Sequence, residues 1–217
     1  MYRDIKSSKN WRLVKRVNKG WSNDLKYYIE TVNDEKLLLR LSDISCYEEK
    51  QKDYDIIRKY SALGFKMSMP LEFGICDEGR HVYMLLTWIE GEDLKEALPK
   101  LSEQMQYRLG QEAGKILKKI HSIEVSDEDI PKETKIPKKL NQMDRYFNSN
   151  LRIDRDEVAL KYIQENIHKL SMMTPCYLHG DFHPGNLVLT LNGEIGVIDF
   201  NRWEVGSLRY VVRKTNS

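Results

Sequence analysis

The 217-residue chain is 41% hydrophobic, and its 35 basic and 33 acidic residues leave a formal net charge of +2. That apolar content suffices for one sizeable core or two small ones, and a charge so near balance does not suit a polyanion partner, so no nucleic-acid binding is expected. Cys46, Cys76 and Cys176 form no metal-type or redox-type pair, the N-terminal MYRDIKSSKNWRLVK has no apolar signal core, and the longest apolar stretch, Val82 to Ile89, is too short to span a bilayer, which together predict a cytoplasmic protein without a membrane partner.

The first ninety residues read as strand-rich. Trp11 to Val17, Tyr27 to Val32 and Lys36 to Leu41 are β-compatible runs separated by turn-formers at Asn18-Lys19-Gly20 and Asn33-Asp34, the pattern of an antiparallel meander. From Ser45 to Leu63, apolar Tyr47, Tyr54, Ile57 and Leu63 recur among charges at helical spacing, and Gly64 is a suitable stop. Two further strands, near Leu71 to Gly74 and Val82 to Thr87, flank the turn Asp77-Glu78-Gly79-Arg80. Five antiparallel strands and one helix are the expected first unit.

The pattern changes after Glu90-Gly91-Glu92, which sets an expected lobe boundary, 1–90 against 91–217. Ser102 caps a helix striped by Leu109, Ala113, Ile116 and Ile120. Residues 122–139 read as a surface loop, followed by helices near Leu140 to Asn148 and Asp156 to Leu170. The fold class is therefore α+β, with a sheet-based first lobe and a mainly helical second one.

Asn192-Gly193 lies between LVLTL and IGVI, a strong signal for a two-residue type I′ hairpin. Counting outward from that turn pairs Leu191 with Glu194, Val188 with Val197, Leu187 with Ile198 and Asn186 with Asp199. The last would be a non-hydrogen-bonded pair, with α-carbons about 4.5 Å apart and an amide oxygen beside a carboxylate, suited to Mg²⁺ shared with phosphates and water. Val188 and Val197 would form an apolar floor for a flat ring, while Leu187, Leu189, Leu191 and Ile198 point into the core. Asp181 stands five residues before Asn186, so the string H-x-D-x-x-x-x-N, followed by a strand ending in Asp, has the order and spacing of a protein-kinase catalytic loop and metal site.

HGDFHPGN followed by VIDF resembles the aminoglycoside phosphotransferase and choline-kinase group of small-molecule kinases, which share a two-lobed protein-kinase-like fold. The VYMLLTWIEGEDL and EAGKILKKIHSI segments extend the resemblance over nearly the whole chain. It implies ATP-dependent transfer to a small-molecule hydroxyl acceptor, with an aminoglycoside or related amino sugar as the candidate. Asp181 would be the catalytic base, Asn186 and Asp199 the Mg²⁺ ligands, and His179 a structural residue. Adenine would contact Thr87 to Glu90, including Trp88 and Ile89, with Val188 beneath it. Gly20 to Asn23, with Ser22 and Asn23, would stand where the phosphates are covered. Arg40 would supply the cation for the α- and β-phosphates, with Glu49 preferred over Asp53 as its acidic partner.

Several readings stay open at this level. His183 either braces the loop or takes part in chemistry, and Trp88 either lines the nucleotide pocket or packs the hinge. IDFNRWEVG runs into SLRYVVRKTNS, where the family continues with a Gly-Asp-Pro-like stretch and more helices, so the chain is expected to be truncated or frame-shifted after about Gly206. A catalytically impaired remnant that binds nucleotide is therefore one alternative. A metal-dependent phosphoesterase is another, since GDFH resembles Gly-Asp-x-His, but no later Asn-His pair supplies a two-metal site.

Overall fold

The computed structural model describes residues 1–18, 23–131, 136–172 and 174–206. Strands β1 (Trp11–Val17), β2 (Leu25–Thr31), β3 (Lys36–Asp43), β4 (Pro70–Cys76) and β5 (His81–Thr87) form an antiparallel sheet in the order β1-β2-β3-β5-β4. Helix α1 (Tyr47–Ser61) connects β3 to β4 and ends before Gly64, whose φ of 67° breaks the helix where expected.

Period-two alternation assigns the two faces of this sheet. On β3, Leu37, Leu39 and Leu41 are buried with Ile29, Leu85 and Ile5 in one apolar cluster, flanked by Trp11 and Tyr27. Each such side chain stabilises the fold by roughly 1.5–3 kcal/mol. The residues between them, Leu38, Arg40 and Ser42, belong to the opposite face.

The chain continues through β6 (Gly91–Asp93), the short α2 (Leu94–Ala97), α3 (Glu103–His121), α4 (Ile136–Phe147) and α5 (Asp156–Asn166), then β7 (Cys176–Leu178), β8 (Leu187–Thr190), β9 (Ile195–Val197) and β10 (Glu204–Gly206). β6, β8 and β9 make a three-stranded sheet, and β10 pairs with β7. This is the α+β class expected. The three-residue strands β6, β7, β9 and β10 are too short to show a period. Part of the expected 122–139 loop, residues 132–135, lies outside the described residues, and α4 begins earlier than expected, at Ile136. Residues 207–217, including most of the SLRYVVRKTNS tail, also lie outside them. Among the described residues no helix is long and apolar enough to cross a membrane.

Two compact units result. One comprises residues 1–120 with 179–203, and the other residues 121–178 with the segment that begins at 204. All described candidate site residues belong to the first. In it Leu109, Ile116 and Ile120 of α3 are buried as their stripe implies, and Glu112 Oε1 of α3 accepts the Ile195 N–H at 2.8 Å, anchoring β9.

The hairpin register differs from expectation by one residue. Leu187 pairs with Val197, Val188 with Gly196 and Leu189 with Ile195. The loop has three residues rather than two: Gly193 is left-handed at φ 75° and Asn192 is not, which is the geometry of a type I turn closed by a glycine bulge. Thr190 decides this. Its N–H donates to the Glu194 carbonyl at 2.9 Å, and its hydroxyl accepts the Glu194 N–H at 3.2 Å. Thr31 and Glu35 close the β2–β3 hairpin in the same way, at 3.0 and 3.2 Å, with Asp34 left-handed at φ 61°. A one-residue shift exchanges faces, so Val188 shares its face with Gly196 instead of Val197, and Leu191 stands at the turn, 88% exposed.

Nothing lies within 4 Å of a Cβ built on Gly193, so Gly193→Ala should cost only the left-handed backbone strain, about 1 kcal/mol in urea unfolding. Asn192→Ala should change stability by less than half of that. Equal sensitivity of the two would restore the type I′ turn.

Candidate active site

His179 is buried, and both its ring nitrogens are bonded. The Asp181 N–H donates to Nδ1 at 3.3 Å, which leaves the proton on Nε2 to be donated to the Ile198 carbonyl at 3.1 Å. Burial lowers its pKa to about 4, and the ring lies 4.7 Å from Phe200 and 5.5 Å from Phe182, centroid to centroid. A neutral imidazole thus ties the loop of Asp181 to the residue before Asp199. Gly180, at φ 78°, lets the chain pass where a Cβ would stand 1.5 Å from the Arg202 carbonyl oxygen.

Pro184–Asn186 forms a single helical turn capped by His183, whose Nδ1 accepts the Gly185 N–H at 3.1 Å. Asn186 Nδ2 donates to the Asp181 carbonyl at 2.8 Å and to its carboxylate at 3.2 Å. With the amide nitrogen so engaged, the amide oxygen is the group left to a cation. His183 Nε2 is 3.8 Å from the Asp181 carboxylate and Arg202 is 3.5 Å from it. His183 therefore braces the loop through its cap, and Arg202 is a neighbour of Asp181 that motif spacing did not reveal.

Asp199 follows β9 with φ 62°, an unfavourable conformation for a residue with a side chain and one that concentrates at functional positions. Because of the register shift it is not the cross-strand partner of Asn186; instead the Ile198 N–H donates to the Asn186 carbonyl at 3.1 Å. Asp199 Oδ1 is 3.3 Å from an Arg40 guanidinium nitrogen.

Arg40 is buried, and its acidic partner is not the expected Glu49. Its Nε donates to Asp24 Oδ2 at 3.0 Å and a terminal nitrogen bonds the same oxygen, while Ser42 donates to Asp24 Oδ1 at 2.8 Å. Burial opposes ionisation of Asp24, but Arg40 and Lys50 outweigh it and hold the carboxyl below its ordinary range. The Glu49 side chain is 72% exposed in the first turn of α1, 3.6 Å from Lys50. Asp53 turns inward but accepts from Trp203 Nε1 at 2.8 Å, with Lys50 at 3.5 Å, and burial raises its pKa. Asp24, Lys50 and Trp203 lay beyond the motif reading.

Around the hinge, Ile89 and Val188 are buried. A Cβ on Gly196 would meet Ile89 at 2.8 Å, and one on Gly91 would meet Val188 at 2.7 Å, so both glycines are needed for this close packing. The Trp88 N–H donates to the Lys36 carbonyl at 2.9 Å, and its ring meets Tyr28 edge-on at 5.0 Å. Asn23 is exposed and immediately precedes Asp24, while Ser22 lies outside the described residues.

The amide oxygen of Asn186 and the carboxylate of Asp199 are donors of the kind a hard divalent cation takes. Among the described residues no three His, Cys, Asp or Glu side chains form a metal cage.

The His179 shift has a sign. Its folded pKa lies below the unfolded value near 6.5, so its contribution is full above pH 6.5 and is lost as pH falls from there toward about 4. The melting temperature should fall through that window, and His179→Asn should flatten the fall while lowering stability at pH 7.5. An unchanged pH slope in the variant would remove His179 as its source.

The model of the phosphotransferase enzyme family matches residues 13–210, whereas no curated protein sequence gives a significant match. Among solved structures, the ADP-bound aminoglycoside phosphotransferase APH(2'')-Ib is 20% identical with a TM-score of 0.62, covering 95% of this chain and 70% of that one. The GDP complex of aminoglycoside 2'-phosphotransferase-IIIa is 16% identical with a TM-score of 0.67, over 94% and 70% of the chains. Spectinomycin phosphotransferase APH(9)-Ia, with ADP and spectinomycin, is 16% identical with a TM-score of 0.59, over 93% and 68%. The fold is thus that of the aminoglycoside phosphotransferases, and the chain belongs to the phosphotransferase enzyme family, the small-molecule kinases with a protein-kinase-like fold.

Proposed function

We propose that the chain transfers the γ-phosphoryl group of ATP to a hydroxyl of a small molecule, with residues 1–90 as the nucleotide lobe and 91–217 as the lobe carrying the catalytic loop. The observation that carries this is the bonded constellation of Asp181, Asn186, Asp199 and Arg40: one carboxylate held by an asparagine, the other by a buried guanidinium. Asp181 orients the acceptor hydroxyl and takes its proton as the oxygen attacks the γ-phosphorus, and the bond to the β-phosphate oxygen breaks to release ADP. Mg²⁺, held by Asn186 and Asp199, would neutralise charge on the β- and γ-phosphates. Arg40 faces the same phosphates, and Ile89 and Val188 supply apolar contact for the base.

The comparison structures support an amine-bearing acceptor. Their proteins were captured with streptomycin, gentamicin, kanamycin, spectinomycin and amicoumacin, and with ATP, ADP or GDP. We take an aminoglycoside or related amino sugar as the acceptor class. The unpaired thiols of Cys46, Cys76 and Cys176 fit a reducing cytoplasm, where ATP is supplied.

Asp181→Asn should lower phosphoryl transfer about 10²–10⁴-fold across a panel of these acceptors while the Mg·ATP-induced rise in melting temperature persists. Asp199→Ala should remove that rise. Full activity in Asp181→Asn would refute the base assignment, and ATP binding without turnover on any acceptor would favour the nucleotide-binding remnant.

A further inference from the structure

Lys26 of β2 stands directly opposite Arg40 of β3, so the two side chains leave the same face of the sheet. From that face Arg40 reaches Asp24 and Asp199. Arg40 has those two carboxylates, and Lys50 has Asp24 at 3.4 Å and Asp53 at 3.5 Å. Lys26 differs. It is partly buried, and among the described residues no carboxylate lies within ion-pair distance of its ammonium. Burial lowers its pKa, while the charges that act on it belong to Asp199, Arg40, Asp24 and Lys50. A desolvated ammonium without a contacting counter-ion is costly, and one that leaves the sheet face beside Arg40 is arranged for an anion that arrives from outside.

We infer that Lys26 is a second phosphate-binding cation, which meets the terminal phosphates of the nucleotide beside Asp199 while Arg40 meets the chain from the opposite strand; this rests on the nucleotide-dependent reading above. A lysine suits that place. Its ammonium is a point charge with three donors on a flexible stem, able to follow the group being transferred, whereas the Arg40 fork is fixed by Asp24.

Titration calorimetry of the whole chain with Mg·ATP, Mg·ADP and adenosine tests this in wild type, Lys26→Met and Lys26→Arg. Lys26→Met should bind Mg·ATP on the order of tenfold more weakly and Mg·ADP less affectedly, with adenosine unchanged and partial recovery in Lys26→Arg. The ligand-free Lys26→Met protein should melt at or above the wild-type temperature, because a partly buried charge without a contacting partner has been removed. Unchanged Mg·ATP affinity in Lys26→Met, with wild type binding normally, overturns the assignment. Equal losses for all three ligands, or a lower melting temperature, make Lys26 a structural counter-ion of Asp199 and also overturn it. If wild type itself does not bind Mg·ATP, the nucleotide reading falls, and this inference with it.

Discussion

The imidazole of His179 holds the reacting groups in register. One ring nitrogen accepts the N–H of Asp181 and the other donates to the carbonyl of Ile198, so the backbone of the proposed base and the backbone leading to the proposed metal ligand meet on one rigid ring. A buried polar ring is tolerable only when both nitrogens are satisfied, and a protonated ring would lose the Asp181 bond. Phe200 then connects this centre to α1 through Tyr60, 5.4 Å away, and Trp203 does so through Asp53. The segment from Asp199 to Trp203 is therefore fastened at both ends within one compact unit.

Electrostatics around Arg40 follow from strand geometry. Asp24 lies at the start of β2, one step from the Leu25–Leu41 pair, where a short side chain bonded to Ser42 reaches the guanidinium with little conformational freedom to lose. Glu49 lies in the first turn of α1, has a longer side chain, and is well solvated there. The nearer and more constrained acid prevails, and this leaves Asp53 to bond Lys50 and the Trp203 indole.

Much of this was legible in the sequence. The five-strand sheet, α1 and the α3 stripe followed from periodicity, and the Asp181, Asn186 and Asp199 spacing pointed to phosphoryl transfer. Asn-Gly alone predicts a two-residue turn, and it is the hydroxyl of Thr190, two residues before it, that selects the three-residue loop. TVNDE and TLNGE are the same device, Thr-x-Asn-(Asp/Gly)-Glu, and both close a three-residue loop through the threonine hydroxyl. Counting back from the first of them places Lys26 opposite Arg40 without any structure. The bonds from Arg40 to Asp199 and from Trp203 to Asp53 span more than a hundred residues, and no local pattern encodes such closures.

The close approach of Gly180 to the Arg202 carbonyl bears on how such a chain can change over time. Every single-base change of a glycine codon that encodes a different amino acid introduces a Cβ, and at this position that atom has no room. The exposed tip at Leu191 is free to vary, so divergence among descendants of this sequence should accumulate at the hairpin tip, while position 180 remains a point from which no one-step mutational path departs.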